Sequence, residues 1–309
     1  MDFAAGLLEA TTRIAMPILL AVLGEIVAER AGVLNIGIEG IMLAGAFGAF
    51  GLAVTTGSGT VGVFGGIAAG LLLAALFAVL VVRLALDPIV TGVALNIFAL
   101  GLTGVMFRAL SPEFDTLFVL PLREIALPGL GEIPLAGRAL FTQNALGWSA
   151  LALAAIVAFF LSRTTPGLVL RAAGENPEAV DTAGTNVTLV RTLAALFGGA
   201  CAGAAGAYLA IGSSNTFVEG MTAGRGFVAL AIVVFARWSV SGGVFGALLF
   251  GLAMALQVRL QGRATFGVEI PYQFFQALPY ALTLVVLARG ARQRSGAPAA
   301  LARPYARER

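Results

Sequence analysis

Five polar residues between positions 25 and 39 have types and spacings that could support chemistry in an otherwise apolar stretch. Glu25 and Glu29 lie one helical turn apart, and Arg30 follows them, so that it could neutralise one carboxylate. Asn35 and Glu39 are also four residues apart and would share one face of a helix. Because a buried charge is costly unless it is paired, this cluster is a candidate functional site.

The residue types that are missing exclude most catalytic chemistry. The 309 residues include no histidine and no lysine, and all 19 basic residues are arginine. Histidine-based acid–base catalysis, histidine zinc sites and a Walker A loop, whose lysine contacts phosphate, are therefore excluded. Cys201 is the single cysteine, so that no internal disulfide forms. We expect no catalytic residue, metal site or cofactor in this chain, and the net charge of +3 is too small to indicate nucleic-acid binding.

The composition predicts an all-α protein that crosses a membrane several times. Hydrophobic residues make up 59% of the chain and charged residues only 11%, against about 25% charged residues in a soluble domain. Backbone polar groups in hydrocarbon must be paired internally, which favours helices. We predict one transmembrane domain over 1–309, with about nine spans and a range of eight to ten. The predicted spans are 12–28, 34–55, 61–82, 88–109, 144–162, 192–212, 224–240, 242–262 and 272–289.

Small residues recur at every fourth position in several of these spans. This spacing lets helix backbones approach closely in lipid and predicts a tightly packed bundle. The positions are Gly62, Gly66 and Gly70, Gly199 and Gly203, Ala202 and Gly206, and Gly242 and Gly246.

The arginines are distributed unequally between the two sides of the predicted membrane. If the segment 163–191 is cytoplasmic, twelve arginines lie on that side and seven on the other. The positive-inside rule then predicts an outside N-terminus and a cytoplasmic C-terminus. The longest loop, 111–143, would be extracytoplasmic. The tail 290–309 would be a basic, disordered cytoplasmic segment near anionic lipid headgroups.

Two interpretations of the polar residues within the spans stay open. In the first, the residues from Glu25 to Glu39 form a network at the cytoplasmic side that caps and locks the first two helices. In the second, Asn35, Glu39 and Asn96 line a translocation pathway and hydrogen-bond a polar, uncharged solute. Thr91 lies in the same predicted span as Asn96 and is a further pathway candidate.

The segment 163–191 is the only long charged stretch in the second half outside the predicted spans, apart from the tail. Within it, Asn176 can cap a short helix that begins at Pro177 and stops at Gly184. A helix of two turns is marginal on its own and normally docks against a surface. We therefore expect this helix to bind another protein.

Four stretches resemble the permease subunits of bacterial ABC importers, of the nucleoside and simple-sugar type that is related to ribose and branched-chain amino acid permeases. They are GVLNIGIEGIMLAGAFGAF from Gly32, LPGLGEIPLAGRALFTQN from Leu127, LVLRAAGENPEAVDTAGTNV from Leu168 and AGRGFVALAIVVFARWSVSGGVFGALLFG from Ala223. The resemblance covers nearly the whole chain, and its most specific block is similar to the family's ATPase-coupling segment. The coupling residues that it implies are Gly174, Glu175, Asn176, Pro177, Glu178, Ala179, Asp181, Ala183 and Gly184.

The resemblance implies an inner-membrane importer of several subunits. This chain and a second, related permease would form the pathway, and a cytoplasmic ATP-binding subunit would bind ATP and magnesium and hydrolyse the ATP. An extracytoplasmic solute-binding protein or lipoprotein would deliver the solute. The chain itself would not be an enzyme.

An ion-coupled secondary transporter of a small polar solute is the alternative. Such transporters often contain broken helices, and Gly32 and Gly224 mark two possible breaks. Proton coupling usually relies on carboxylates or histidines within the membrane. The chain has no histidine, and the centres of the third to ninth predicted spans contain no carboxylate.

Overall fold

The computed structural model describes residues 2–114, 119, 122–129, 131, 137–260, 277, 281, 284 and 296–305. The described residues form eleven α-helices and one two-stranded sheet. In chain order these are α1 Asp2–Arg30, α2 Ile38–Thr56, α3 Gly59–Ala78, α4 Pro88–Phe114, β1 Glu124–Ala126, α5 Gly137–Phe141, β2 Thr142–Asn144, α6 Ala145–Arg163, α7 Thr165–Glu175, α8 Pro177–Thr182, α9 Val187–Ala207, α10 Arg225–Phe235 and α11 Val240–Leu260. α3 and α9 continue into the π-helical turns Val79–Arg83 and Tyr208–Ser214.

Seven helices in the described ranges are long and apolar enough to cross a membrane. They correspond to the first six predicted spans and the eighth, so that a mostly helical membrane architecture is confirmed. The seventh predicted span, 224–240, contains only the 11-residue α10. At about 1.5 Å per residue, α10 reaches roughly half of a hydrocarbon core of about 30 Å. The ninth, 272–289, lies outside the described residues except for 277, 281 and 284, and the count of nine stays a prediction.

α10 is short because the backbone turns left-handed at both of its ends. Gly224, the residue before it, has φ +83°, and Arg237 and Trp238 after it have φ +52° and +57°. Residues in this conformation end an α-helix. Bulky side chains adopt it rarely, so that the continuous apolar run gave no warning of the break.

Helices α1 and α9 form the centre of the bundle and are buried along most of their length, whereas α4, α6 and α11 leave most of their length exposed. α9 packs closely on α2 and α3 through glycines. A Cβ atom on Gly203 would lie 2.4 Å from the carbonyl oxygen of Gly66, and one on Gly45 would lie 2.6 Å from the Cα of Gly203. The close packing predicted from the small-residue spacing is therefore confirmed for these helices.

The predicted loop 111–143 contributes β1 to a short antiparallel sheet, in which Ile125 pairs with Gln143 of β2. The indole nitrogen of Trp148 on α6 donates a hydrogen bond of 3.0 Å to the carbonyl oxygen of Ile125. This bond ties the sheet to the end of the bundle.

The segment between α6 and α9 contains one helix that was predicted and one that was not. Asn176 caps α8, since its Oδ1 atom accepts a hydrogen bond of 3.1 Å from Ala179 N. Gly184, beyond the helix, has φ +86°, a conformation that glycine adopts without strain, so that the predicted helix and its cap are confirmed. α7 was not predicted, although its buried residues follow a helical spacing. They are Gly167, Leu170, Ala173 and Gly174.

Residues 296–305 form a strap that is hydrogen-bonded to the bundle. The prediction of a disordered tail is wrong for these residues, because Ala300 N donates to Gly174 O at 2.8 Å and Ala302 N donates to Gly32 O at 3.1 Å. Pro298 and Ala300 are buried. The basic composition indicated solvent exposure and carried no signal for a docked backbone.

Candidate functional site

The chain between α1 and α2, residues 31–37, is a connector that turns back into the bundle. The backbone nitrogen of Asn35 donates a hydrogen bond of 2.9 Å to the Oε1 atom of Glu25, which lies more than one turn before the end of α1. Both residues are buried. Non-helical backbone inside a membrane protein is stable only where other protein groups satisfy it, and Glu25 supplies one such acceptor.

Asn96 on α4 holds the other end of the connector. Its Oδ1 atom accepts a hydrogen bond of 2.7 Å from Gly40 N, in the first turn of α2. Its Nδ2 atom donates a hydrogen bond of 2.9 Å to Ile36 O. Thr91, which is buried one turn before Asn96, precedes Gly92, where a Cβ would lie 2.7 Å from Gly37 N. The connector therefore rests directly on the first turns of α4.

Glu39 joins the start of α2 to the start of α10. Its Oε1 atom accepts a hydrogen bond of 2.7 Å from Gly224 N, and its Oε2 atom accepts one of 2.7 Å from Gly226 N. The first backbone N–H groups of a helix have no partner within the helix, and the helix dipole favours a negative charge there. Glu39 therefore satisfies and stabilises the N-terminus of α10.

The opposite end of α10 is fastened to α1. The indole nitrogen of Trp238 donates a hydrogen bond to Glu29 Oε2, and Arg30 Nε donates one of 3.1 Å to the carbonyl oxygen of Trp238. Arg30 is absent from the salt bridges between described residues. The sequence suggested that Arg30 could neutralise a glutamate, but its guanidinium donates to a backbone carbonyl instead.

Asn35 is part of the connector, and Asn96 bonds to Ile36 within it and to Gly40 just beyond it. Glu39 follows the connector in α2, and Thr91 lies beside it. The hydrogen bonds agree with the interpretation of the cluster as a capping and locking network. This network includes the connector before α2 and the start of α10. Two buried oxygens, Asn35 Oδ1 and Glu25 Oε2, have no hydrogen-bond partner among the described residues. A pathway role for the four residues stays a prediction.

The second candidate region is the surface around α8. Val180 is the buried residue of this helix, and it packs with Ala173 of α7 and Val187 of α9. Glu178 and Ala179 are exposed. α8 is thus a short, capped helix that projects from the bundle and is anchored by one apolar side chain.

The residues that were predicted to couple to an ATPase differ in their exposure. Several are exposed on or beside α8: Glu175, Asn176, Glu178, Ala179, Ala183 and Gly184. Gly174, in contrast, is buried against the end of α1, and a Cβ there would lie 2.2 Å from Arg30 O. Pro177 begins α8 and Asp181 lies within it.

Arg191 is a buried residue whose importance the sequence did not indicate. Its side chain is 4% exposed, and its guanidinium donates hydrogen bonds of 2.8 to 3.5 Å to four backbone carbonyls. In the sequence it is one of several arginines that precede an apolar run. Its carbonyl partners have no side-chain signature, which explains why it was counted as an ordinary cytoplasmic charge.

The seven membrane-length helices in the described ranges define a multi-pass membrane protein. It also contains a short helix, α10, and a connector that turns back into the bundle, and both are held by side-chain hydrogen bonds. Residues 7–287 match the family model described as "Branched-chain amino acid transport system / permease component". The chain belongs to this family and is a membrane permease subunit of the ABC importer type. The resemblance inferred from the sequence is confirmed, and an ion-coupled transporter is not favoured.

Named relatives cover the chain almost completely. It is 42% identical to the putative glucose ABC transporter permease protein TsgC13 of Haloferax volcanii, over 100% of this chain and 99% of that protein. It is 36% identical to the nucleoside ABC transporter permease protein NupC of Lactococcus lactis, over 88% of each chain. It is 34% identical to the guanosine ABC transporter permease protein NupQ of Bacillus subtilis, over 96% of this chain and 95% of that protein.

Proposed function

We propose that the chain forms part of the translocation pathway for a nucleoside or a simple sugar and is driven through α8 by a separate ATP-binding subunit. The names of the relatives support this solute class, since two refer to nucleosides or guanosine and one to glucose. The ATP-binding subunit would hold ATP and magnesium and carry out hydrolysis. A second, related permease and an extracytoplasmic solute-binding protein or lipoprotein would complete the importer.

The geometry of α8 is the observation that supports coupling at this point. The helix exposes Glu178 and Ala179, and Val180 inserts between α7 and α9. A partner that moves α8 would therefore push on the start of α9. Because α9 lies at the centre of the bundle, this displacement would reach the helices that surround it.

The proposed cycle has two states. ATP binding closes the ATP-binding subunit, displaces α8 and opens the pathway to the outside, and hydrolysis returns the bundle to its first state. We propose that the N-terminus is outside and the C-terminus is cytoplasmic, which places α8 on the cytoplasmic side. The arginine distribution supports it, with twelve arginines on the proposed cytoplasmic side and seven on the other.

The connector is the proposed pathway element within this chain. Asn35 lies within it, Asn96 bonds to it from α4, and Thr91 lies on the same turns of α4. Glu39 follows it in the first turn of α2 and bonds the short helix α10. The side-chain oxygens of Glu39 and Asn96 are occupied by backbone N–H groups. These two residues therefore hold the pathway wall in position. Asn35 Oδ1, which has no hydrogen-bond partner among the described residues, is the atom that we assign to solute contact.

Ala183→Trp tests the coupling function. Ala183 is exposed with φ −75°, so that tryptophan adds bulk at the end of α8 without backbone strain. In the assembled importer in lipid nanodiscs, solute-stimulated ATP hydrolysis should fall about tenfold, within the range of typical coupling free energies. The control is Thr55→Trp at the exposed far end of α2, which should keep normal stimulation. Normal stimulation in Ala183→Trp would contradict the proposal.

The solute class is tested separately by uptake into vesicles that contain the complete importer. Labelled guanosine and labelled glucose are offered with an excess of the other, unlabelled compound. We expect ATP-dependent uptake of one of them, with competition only by its own class. Uptake of neither compound by an importer that hydrolyses ATP would contradict the proposed solute.

A further inference from the structure

The strap, residues 296–305, binds the bundle through its backbone. Three of its backbone nitrogens donate hydrogen bonds to α7 and to the connector, which are separate elements of the fold. The bonds are Ala299 N to Glu175 Oε2 at 3.2 Å, Ala300 N to Gly174 O at 2.8 Å and Ala302 N to Gly32 O at 3.1 Å. The strap therefore joins the end of α7 to the chain that follows α1.

Arg191 makes the strap part of the buried structure. Its Nε atom donates to Ala31 O at 3.1 Å, and its Nη2 atom donates to Ala173 O at 3.4 Å. The strap supplies the other two acceptors, Arg303 O at 2.8 Å and Ala300 O at 3.5 Å. A guanidinium cannot give up its charge, and removing the strap would take away two of its four acceptors.

The end of the strap reaches the anchor of α8. Tyr305 packs against the cluster of Ala173, Val180 and Val187 that holds α8 on the bundle. Tyr305 also lines a small cavity together with Arg191 and Gly32. The position of α8 therefore depends on the strap as well as on α7 and α9.

We propose that the strap and α8 form one continuous docking surface for the ATP-binding subunit, and that the strap fixes α8 in the orientation which that subunit binds. This inference rests on the proposed coupling role of α8. The strap is continuous with α8, because Tyr305 packs against the cluster that contains Val180. We therefore assign the same partner, the ATP-binding subunit, to both elements. Ala299 and Arg303 are exposed on the strap, as Glu178 and Ala179 are on α8.

Two truncations of the full importer separate this role from lipid anchoring by a basic tail. The first ends the chain at Ser295 and removes the strap. The second ends it at Tyr305, which keeps the strap and removes residues 306–309, with two of the arginines. Each is purified from membranes through a tag on the second permease, and the copurified ATP-binding subunit is quantified. We expect about a tenfold loss of that subunit in the first truncation and normal recovery in the second, a ratio typical of coupled binding.

Equal losses in both truncations would indicate that residues 306–309 and their charges, and not the strap, determine recovery of the ATP-binding subunit. That result would overturn the proposal. Normal recovery of the ATP-binding subunit in both would also overturn it. If the chain ending at Ser295 does not reach the membrane, Tyr305→Ala decides, because this variant keeps every backbone bond of the strap. Tyr305→Ala should reach the membrane in normal amounts and show about fivefold weaker solute-stimulated ATP hydrolysis. Normal stimulation in that case would overturn the proposal.

The Ala183→Trp experiment separates failure of the strap proposal from failure of the proposed coupling function. If Ala183→Trp lowers stimulation as expected while the Ser295 truncation and Tyr305→Ala behave normally, coupling through α8 stands and only the role of the strap falls. If Ala183→Trp behaves normally, the coupling function itself falls.

Discussion

Glu39 on α2 and Gly226 on α10 are joined by a hydrogen bond of 2.7 Å from the glycine nitrogen to the carboxylate, although 187 residues separate them. A Cβ on Gly226 would lie 2.8 Å from the Cα of Glu39, so that only glycine allows this approach. The contact fastens the start of the interrupted helix α10 to the first turn of α2. One carboxylate therefore satisfies two backbone N–H groups at the start of α10.

Glu39→Ala should destabilise the protein by about 3 kcal/mol or more, because it removes two hydrogen bonds to a charged group at a helix N-terminus. Glu39→Gln should cost about half as much, since its amide keeps one acceptor oxygen. The measurement is thermal unfolding of the purified permease in detergent. Glu219→Ala is the control, because its ion pair with Arg108 is exposed and contributes about 0–1 kcal/mol. Equal unfolding temperatures for Glu39→Ala and Glu219→Ala would refute the capping role.

Asn96→Ala should lower the free energy of unfolding by about 2 kcal/mol, because Gly40 N and Ile36 O both lose their partner. Uptake per folded molecule should keep its half-saturating solute concentration. Thr103→Val on the same helix is the control, since the Thr103 hydroxyl bonds within α4. A normal unfolding temperature with a raised half-saturating concentration would show instead that Asn96 contacts solute.

Gly203→Ala should be among the most disruptive single-methyl changes in the bundle. The new Cβ would lie 2.4 Å from Gly66 O and 3.1 Å from the Cα of Gly70, both backbone atoms of α3. Overpacking of this kind costs about 1–3 kcal/mol. Gly51→Ala on α2 has no atom within 4 Å of the new methyl group and should be neutral or stabilising by up to about 1 kcal/mol. The measurement for both variants is the amount of folded protein in membranes. Similar amounts for Gly203→Ala and Gly51→Ala would contradict the packing of α9 on α3.

Local signals in the sequence predicted the features that local interactions determine. Asn176 followed by Pro177 predicted the start of α8, because a helix cap involves only residues three positions apart. The small-residue spacing around Gly203 predicted close helix packing, since it depends on side-chain size alone. Long apolar runs predicted seven of the membrane-length helices for the same reason.

Features that depend on distant partners could not be predicted. The left-handed backbone at Arg237 and Trp238 interrupts an apolar run that reads as one span, and Trp238 is held there by contacts with α1. The partners of Arg191 are backbone carbonyls, which every residue carries. The strap docks through small residues and main-chain bonds, for which composition and periodicity contain no signal.

Site-specific cross-linking from α8 tests the central claim most directly. Ala179→Cys places a thiol on the exposed face of α8, while the native Cys201 is buried. The thiol is labelled with a photoactivated benzophenone in the assembled importer. Thr56→Cys, at the exposed end of α2 away from the connector, is the matched control.

We predict that the label on Ala179→Cys cross-links to the ATP-binding subunit and that the label on Thr56→Cys does not. The yield from Ala179→Cys should also change when ATP is bound, because α8 moves with that subunit. A cross-link from Ala179→Cys to the extracytoplasmic solute-binding protein, or labelling of this thiol from outside intact cells, would contradict the account.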